Sequence, residues 1–106
     1  MNEGNIEDRL VKKVKELGGD CVKIETSSSR GYPDRLVILP YGQIFFVETK
    51  APKDGVISPY QNYVIDKLTQ MSHKVYIASS IKDVDILIRK WSIKLHHLEE
   101  GCYGDL

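Results

Sequence analysis

Hydrophobic and polar positions along this chain follow two periods. From Asn5 to Leu17, the apolar residues Ile6, Leu10, Val11, Val14 and Leu17 recur at helical spacing, with Arg9, Lys12, Lys13 and Glu16 elsewhere. That spacing predicts an amphipathic helix, stopped by Gly18-Gly19. Asp20 to Thr26 contains Cys21-Val22-Lys23-Ile24, a short strand, and Ser27-Ser28-Ser29-Arg30-Gly31 follows as a polar loop. Two runs rich in Val, Ile and Phe, Leu36–Leu39 and Ile44–Val47, flank Pro40-Tyr41-Gly42. They read as a β-hairpin. Ala51 to Ser58 is an irregular linker, broken by Pro52 and Gly55. Ser58 then opens a second helix, with Pro59 at its first position, Gln61 completing a capping box, and Tyr60, Val64, Ile65, Leu68 and Met71 as its stripe. Val75–Ala78 reads as a strand. Ser80 caps a last helix, with Asp83 at the capping-box position and Val84, Leu87, Ile88 and Trp91 facing inward. Ser92 to Leu106 reads as a short tail with an acidic end.

Helix, three strands, helix, strand, helix predicts one α/β domain with a mixed central sheet. The first strand and the hairpin form its antiparallel part, and a strand–helix–strand crossover follows. The expected boundaries are a domain over residues 1–92 and a C-terminal tail over 93–106.

The hairpin carries the candidate chemistry. With Gly42 left-handed in a three-residue loop, Leu39 pairs with Gln43, and the register runs down to Asp34 opposite Glu48. Residues so paired have Cβ atoms roughly 4.5–5.5 Å apart. Two carboxylates that close repel unless a cation lies between them, and hard oxygen donors with room for water suit Mg²⁺ or Mn²⁺. Lys50 shares the face of Glu48 and brings an ammonium beside the ion. That set suits a phosphate attacked by water. Acids and lysines at strand ends commonly just face solvent. Pro33-Asp34, the turn-set register and the apolar spacer in combination favour the site.

Other residues have two readings each. Glu7 precedes Leu10, Val11 and Val14 by three, four and seven residues, so it projects within an apolar stripe; it is also a favourable acid in a first helical turn. Gln61 lies in the stripe of its helix and is also a capping residue. Ser29 and Arg30 are solvent-loop residues or phosphate contacts, Arg30 having the donor fork suited to phosphate. Lys53 is a further candidate contact to DNA. Arg35 alternates to the face opposite Asp34.

Pro33-Asp34 followed by Glu48-Thr49-Lys50 on the next strand resembles the PD-(D/E)xK nuclease superfamily. Gly31-Tyr32-Pro33-Asp34 with Val47-Glu48-Thr49-Lys50, in so short a chain, resembles the stand-alone, phage-type VRR-NUC domains. The resemblance covers about residues 6 to 90. It implies a restriction-endonuclease-like fold and a Mg²⁺- or Mn²⁺-dependent endonuclease. Glu7, Asp34, Glu48 and the backbone carbonyl of Thr49 match the metal ligands, and Lys50 and Gln61 match catalytic positions. It also implies four-way (Holliday) junctions as substrate and a homodimer, in which the linker at 51–58 could allow exchange of C-terminal elements. Ile65 stands where some related nucleases carry a tyrosine, so that contact is not expected.

Composition changes little. At 106 residues the chain forms one domain with a small core, a size at which a partner subunit helps. Fifteen basic and fifteen acidic residues cancel, so any DNA-binding surface must come from clustering. No apolar run reaches the length of a membrane helix, and the first residues carry no secretory signal. Cys21 and Cys102 fit no zinc spacing and read as reduced thiols, so a cytoplasmic protein is expected, in the bacterial host if phage-encoded. His96 and His97 are adjacent and cannot face one ion from a regular element. No Gly-rich phosphate loop or Ser-His-Asp set is present.

Overall fold

The apolar stripe that opens the chain forms α1 (Glu3–Glu16), beginning two residues earlier than its spacing predicts. The computed structural model describes residues 3–25, 28, 30–50 and 56–102. Gly18 ends α1 at φ 82, and the Gly19 N–H donates to the Val14 carbonyl at 3.0 Å. A left-handed glycine closes helices this way because it lacks the Cβ that resists positive φ. Gly19 also permits close packing: a Cβ there would lie 2.5 Å from the Ile38 carbonyl oxygen.

Four strands follow: β1 (Asp20–Lys23), β2 (Arg35–Leu39), β3 (Gln43–Thr49) and β4 (Val75–Ala78). They form one sheet in the order β1-β2-β3-β4. β1, β2 and β3 are antiparallel neighbours, and β4 runs parallel to β3. The mixed sheet is therefore as expected. Leu39 pairs with Gln43, and Arg35 with Val47. The hairpin turn places Tyr41 as well as Gly42 at positive φ, 62 and 73, where Gly42 alone was expected. Two left-handed residues match the twist of the paired strands better than one.

α2 (Pro59–Gln70) and α3 (Ile81–His97) complete the layers. Alternation divides the sheet. Val37 and Leu39 of β2, Phe45 and Val47 of β3, and Ala78 pack on Ile6, Leu10 and Val14 of α1 and on Val84, Leu87, Trp91 and Leu95 of α3. Trp91 stacks on Phe45, with centroids 5.2 Å apart and planes 11° from parallel. Burying side chains of this size stabilises by roughly 1.5–3 kcal/mol each, so this face holds the fold together. The opposite face carries Leu36, Ile38, Ile44, Phe46 and Glu48. There α2 buries Val64 and Leu68, while Ile38, Ile44 and Ile77 stay exposed.

Residues expected in a tail from 93 onward begin as helix. α3 continues to His97, and a wider turn, Leu98–Cys102, follows, with Gly101 at φ 89. Leu95, four residues after Trp91, extends the buried stripe. At the start of α3 the Ser80 hydroxyl accepts the Asp83 N–H at 3.0 Å, but the Asp83 carboxylate accepts from Ser79, one residue before the box position.

Candidate active site

The hairpin register brings Asp34 beside Glu48, at the ends of β2 and β3. Asp34 follows the buried Pro33 and stands one residue before the last ladder pair, Arg35 with Val47. Its backbone N–H donates to Glu48 Oε1 at 3.1 Å. Its carboxylate turns to Thr49: the backbone N–H of Thr49 donates to Oδ1 at 3.2 Å, and the Thr49 hydroxyl donates to Oδ2 at 2.7 Å. Thr49 is fully buried, so this clamp is fixed.

Glu48 is itself almost fully buried, which is costly for a carboxylate without partners. Gln61 supplies one, its Nε2 donating to Glu48 Oε2 at 3.1 Å. Lys50 supplies another, with Nζ 3.4 Å from the same oxygen. Gln61 is held in turn by the helix start. Ser58 Oγ accepts the Gln61 N–H at 3.1 Å, and Gln61 Oε1 accepts the Ser58 N–H at 3.2 Å. Gln61 is thus engaged at both ends of its amide: the oxygen caps α2, and the nitrogen donates to Glu48.

Electrostatics at Asp34 reflect the crowding. Burial pushes its carboxyl from an ordinary 3.8 up to about 6. The Thr49 bonds pull it down, and the neighbouring Glu48 and Glu7 push it up. A site where negative charge is both desolvated and crowded favours a cation.

Glu7 is placed differently from Asp34 and Glu48. α1 covers the sheet face that carries Arg35, and Arg35 Nε donates to Glu7 Oε2 at 2.8 Å. The same guanidinium donates through Nη1 to the Cys21 carbonyl at 3.0 Å. Glu7 lies near enough to raise the Asp34 pKa but is neutralised by Arg35. Among the described residues, no three His, Cys, Asp or Glu side chains are placed to hold an ion together. Asp34 and Glu48 are nonetheless donors of the hard oxygen type that a divalent ion such as Mg²⁺ takes. Mg²⁺ takes one or two carboxylates and completes its shell with water and substrate phosphate. An ion there would offset the burial, and relieve the smaller repulsion from Glu48 and Glu7, that together raise Asp34.

Of the expected DNA contacts, Arg30 lies with its guanidinium 5.1 Å from the Tyr60 ring centroid, at the start of α2. Ser29 and Lys53 lie outside the described residues. The fold thus gathers Asp34, Glu48, Thr49, Lys50 and Gln61, with Arg30 near the same helix start and Glu7 held apart by a salt bridge. Two contributors were not expected from sequence: the Thr49 hydroxyl, and Arg35 as the partner of Glu7. A threonine inside Glu-x-Lys, one residue from the acid, was the available signal for the first.

No family model matches the chain. A protein named "Putative nuclease p44", from Acyrthosiphon pisum secondary endosymbiont phage 1, is 41% identical over 80 residues, 76% of this chain and 85% of that protein. A solved structure named "VRR_NUC domain" matches at a TM-score of 0.76 and 33% identity, covering 82% of this chain and 94% of that one.

Proposed function

The chain belongs to the VRR-NUC family of nucleases, and from that premise we propose that it is a divalent-metal-dependent endonuclease acting on branched DNA, four-way junctions above all. The observation that carries this reading is the joined pair Asp34 and Glu48, with Lys50 and Gln61 on the same carboxylate. Asp34, Glu48 and the Thr49 backbone carbonyl would hold Mg²⁺ or Mn²⁺. Glu7 would join them only by exchanging Arg35 for the ion. When bound, the ion would lower the pKa of a water and neutralise charge on the scissile phosphate.

The chain's own groups do the rest. Thr49 fixes the Asp34 carboxylate, and Gln61 fixes that of Glu48, so the oxygens are oriented before substrate arrives. Lys50 orients the attacking water, helps to deprotonate it, or meets the negative charge that grows on the phosphate in the transition state. Arg30 contacts the DNA backbone, and Ser29 and Lys53, outside the described residues, are further contacts.

A homodimer suits this chemistry, because two sites related by a twofold axis can cut symmetric strands. The exposed Val22, Ile38, Ile44 and Ile77, on the sheet face that α2 leaves open, support a second copy as the cover. The segment at 51–58, of which residues 51–55 lie outside the described residues, would permit exchange of the elements after it. No described helix is long and apolar enough to cross a membrane, and the cytoplasm of a bacterial host is the proposed setting.

The test is cleavage of junction, flap, single-stranded and linear duplex DNA with Mg²⁺, Mn²⁺ or EDTA, by the wild type and by Asp34→Ala and Lys50→Ala. Metal-dependent cutting of junctions, lost in both variants, is expected. Cutting that survives EDTA or both substitutions would defeat the mechanism. Linear duplex cut as readily as junctions would defeat the substrate assignment.

A further inference from the structure

The exposed side of α2 carries a feature the mechanism does not use. Tyr60 and Tyr63 stack on each other, with centroids 6.0 Å apart and planes 28° from parallel. Both stay open to solvent, 47% and 61% exposed. An aromatic pair three residues apart stabilises a helix by only about 0.2–0.5 kcal/mol, little return for two rings kept in water. The first ring is also seated with care. Gly31, at φ 81, lies against it so closely that a Cβ would fall 2.5 Å from Tyr60 Cδ2. That close approach lets the loop set the Arg30 guanidinium over the ring at 5.1 Å. At the far end, Tyr63 borders a shallow groove with Asp66, Lys67 and Gln70.

From Arg30 through Tyr60 and Tyr63 to Lys67, the track has a cation at each end and two rings between them, with Asp66 beside Lys67 at the far end. α-Helical rise puts about 10 Å between residues 60 and 67, enough for one or two nucleotides. Cations that meet phosphates, alternating with rings that meet base faces, are how proteins hold single strands. Paired bases inside a duplex already stack on each other and offer no free face. Tyr60 packs against Gly31, three residues before Asp34, so the near end of the track lies on the loop that leads to the catalytic carboxylates.

We propose that Tyr60 and Tyr63, flanked by Arg30 and Lys67, form a stacking platform for an unpaired base of the DNA substrate next to the scissile phosphate. The ligand class is DNA with splayed or unpaired bases, such as those at a branch point. This rests on the nuclease reading above and narrows it: the enzyme selects branched DNA partly by stacking on what the branch exposes.

The test is binding in EDTA, where no cleavage occurs. The probes are a fluorescein-labelled duplex with a short unpaired loop and the same duplex fully paired, read by anisotropy. The wild type should prefer the looped probe. Tyr63→Leu should weaken that probe about tenfold, from the worth of one base–aromatic stack, and change the paired duplex by less than about twofold. Tyr63→Phe, which keeps the ring, should bind like the wild type. Equal loss on both probes, no loss on the looped probe, no wild-type preference, or a Phe variant as weak as Leu would each overturn the platform. Arg30→Gln, which leaves the helix intact, is the second variant. It should lower the slope of log affinity against log salt by about one, and an unchanged slope would remove the cation from the platform. Cleavage assays of Asp34→Ala judge the metal mechanism separately, so either idea can fail alone.

Discussion

Gln61 ties the first turn of α2 to the end of β3: its Nε2 donates to Glu48 Oε2 at 3.1 Å while its Oε1 accepts the Ser58 N–H at 3.2 Å. Two substitutions separate these jobs. Ser58→Ala removes the hydroxyl cap and should cost about 0.5–2 kcal/mol of stability, with single-turnover cleavage held within a few-fold. Gln61→Ala should cost about as much stability but slow cleavage by about tenfold or more, because Glu48 loses its orienting donor. Denaturant unfolding alongside single-turnover kinetics measures both. An equal fall in cleavage for the two variants would reduce Gln61 to a cap.

Much of this region was legible in the chain itself. The S-x-x-Q spacing announces the capping box, and Pro40-Tyr41-Gly42 fixes Leu39 opposite Gln43. From there, counting places Asp34 beside Glu48. Local patterns suffice because turn geometry and strand alternation are local. The partner of Glu7 was not legible. Arg35 does alternate away from Asp34, but only the packing of α1 shows which sheet face that helix covers, and packing depends on distant residues. The Thr49 clamp was missed for a related reason: Asp34 stands just beyond the β2 ladder, where alternation no longer aims a side chain. The last turn and a half of α3 was hidden because His96-His97 masks the step from Trp91 to Leu95.

Asp34 sets a pH dependence whose sign follows from the direction of its shift. Burial raises its carboxyl from 3.8 to about 6, so the native state holds that proton more tightly than the unfolded chain. The resulting stability is fully present below about pH 4 and is lost as pH rises through about 6. In metal-free protein, Asp34→Asn should therefore stabilise by about 1–3 kcal/mol near pH 7.5 and by almost nothing near pH 4. The Thr49 hydroxyl can reverse to accept from the new amide, so the clamp survives. Urea unfolding of both proteins in EDTA at the two pH values measures this. An advantage for the asparagine that did not grow with pH would refute it.

The Thr49 hydroxyl should control that same proton. It donates to Asp34 Oδ2 at 2.7 Å from a fully buried position. Thr49→Val keeps the shape and removes the donor. Above pH 6 it should cost about 1.5–3 kcal/mol, the range for hydrogen bonds to charged groups. It should also push the Asp34 carboxyl further up, since a bond to the charged form is lost. Thr49→Ser should restore both. Carboxyl ¹³C titration followed by NMR reads the shift directly, and an Asp34 titration unmoved by valine would show that the hydroxyl has no such hold.

Arg35 decides what Glu7 is for. Its guanidinium grips the Glu7 carboxylate at 2.8 Å and the Cys21 carbonyl at 3.0 Å, and both side chains of the ion pair are under a fifth exposed. Removing one member of such a pair leaves a charge stranded, so Arg35→Met should cost about 2–4 kcal/mol. Arg35→Lys should recover only part, because an ammonium cannot fork to both acceptors. The double variant Arg35→Met with Glu7→Met should regain most of the loss, giving a coupling of about 1 kcal/mol or more in a double-mutant cycle. Mn²⁺ titration by calorimetry then separates the two roles. If Glu7 leaves Arg35 to join the ion, Arg35→Met releases it and tightens binding wherever the protein stays folded, while Glu7→Gln loosens binding. If Glu7→Gln binds Mn²⁺ as the wild type does, Glu7 serves only to fasten α1 to the sheet, and Asp34 and Glu48 supply the carboxylates alone.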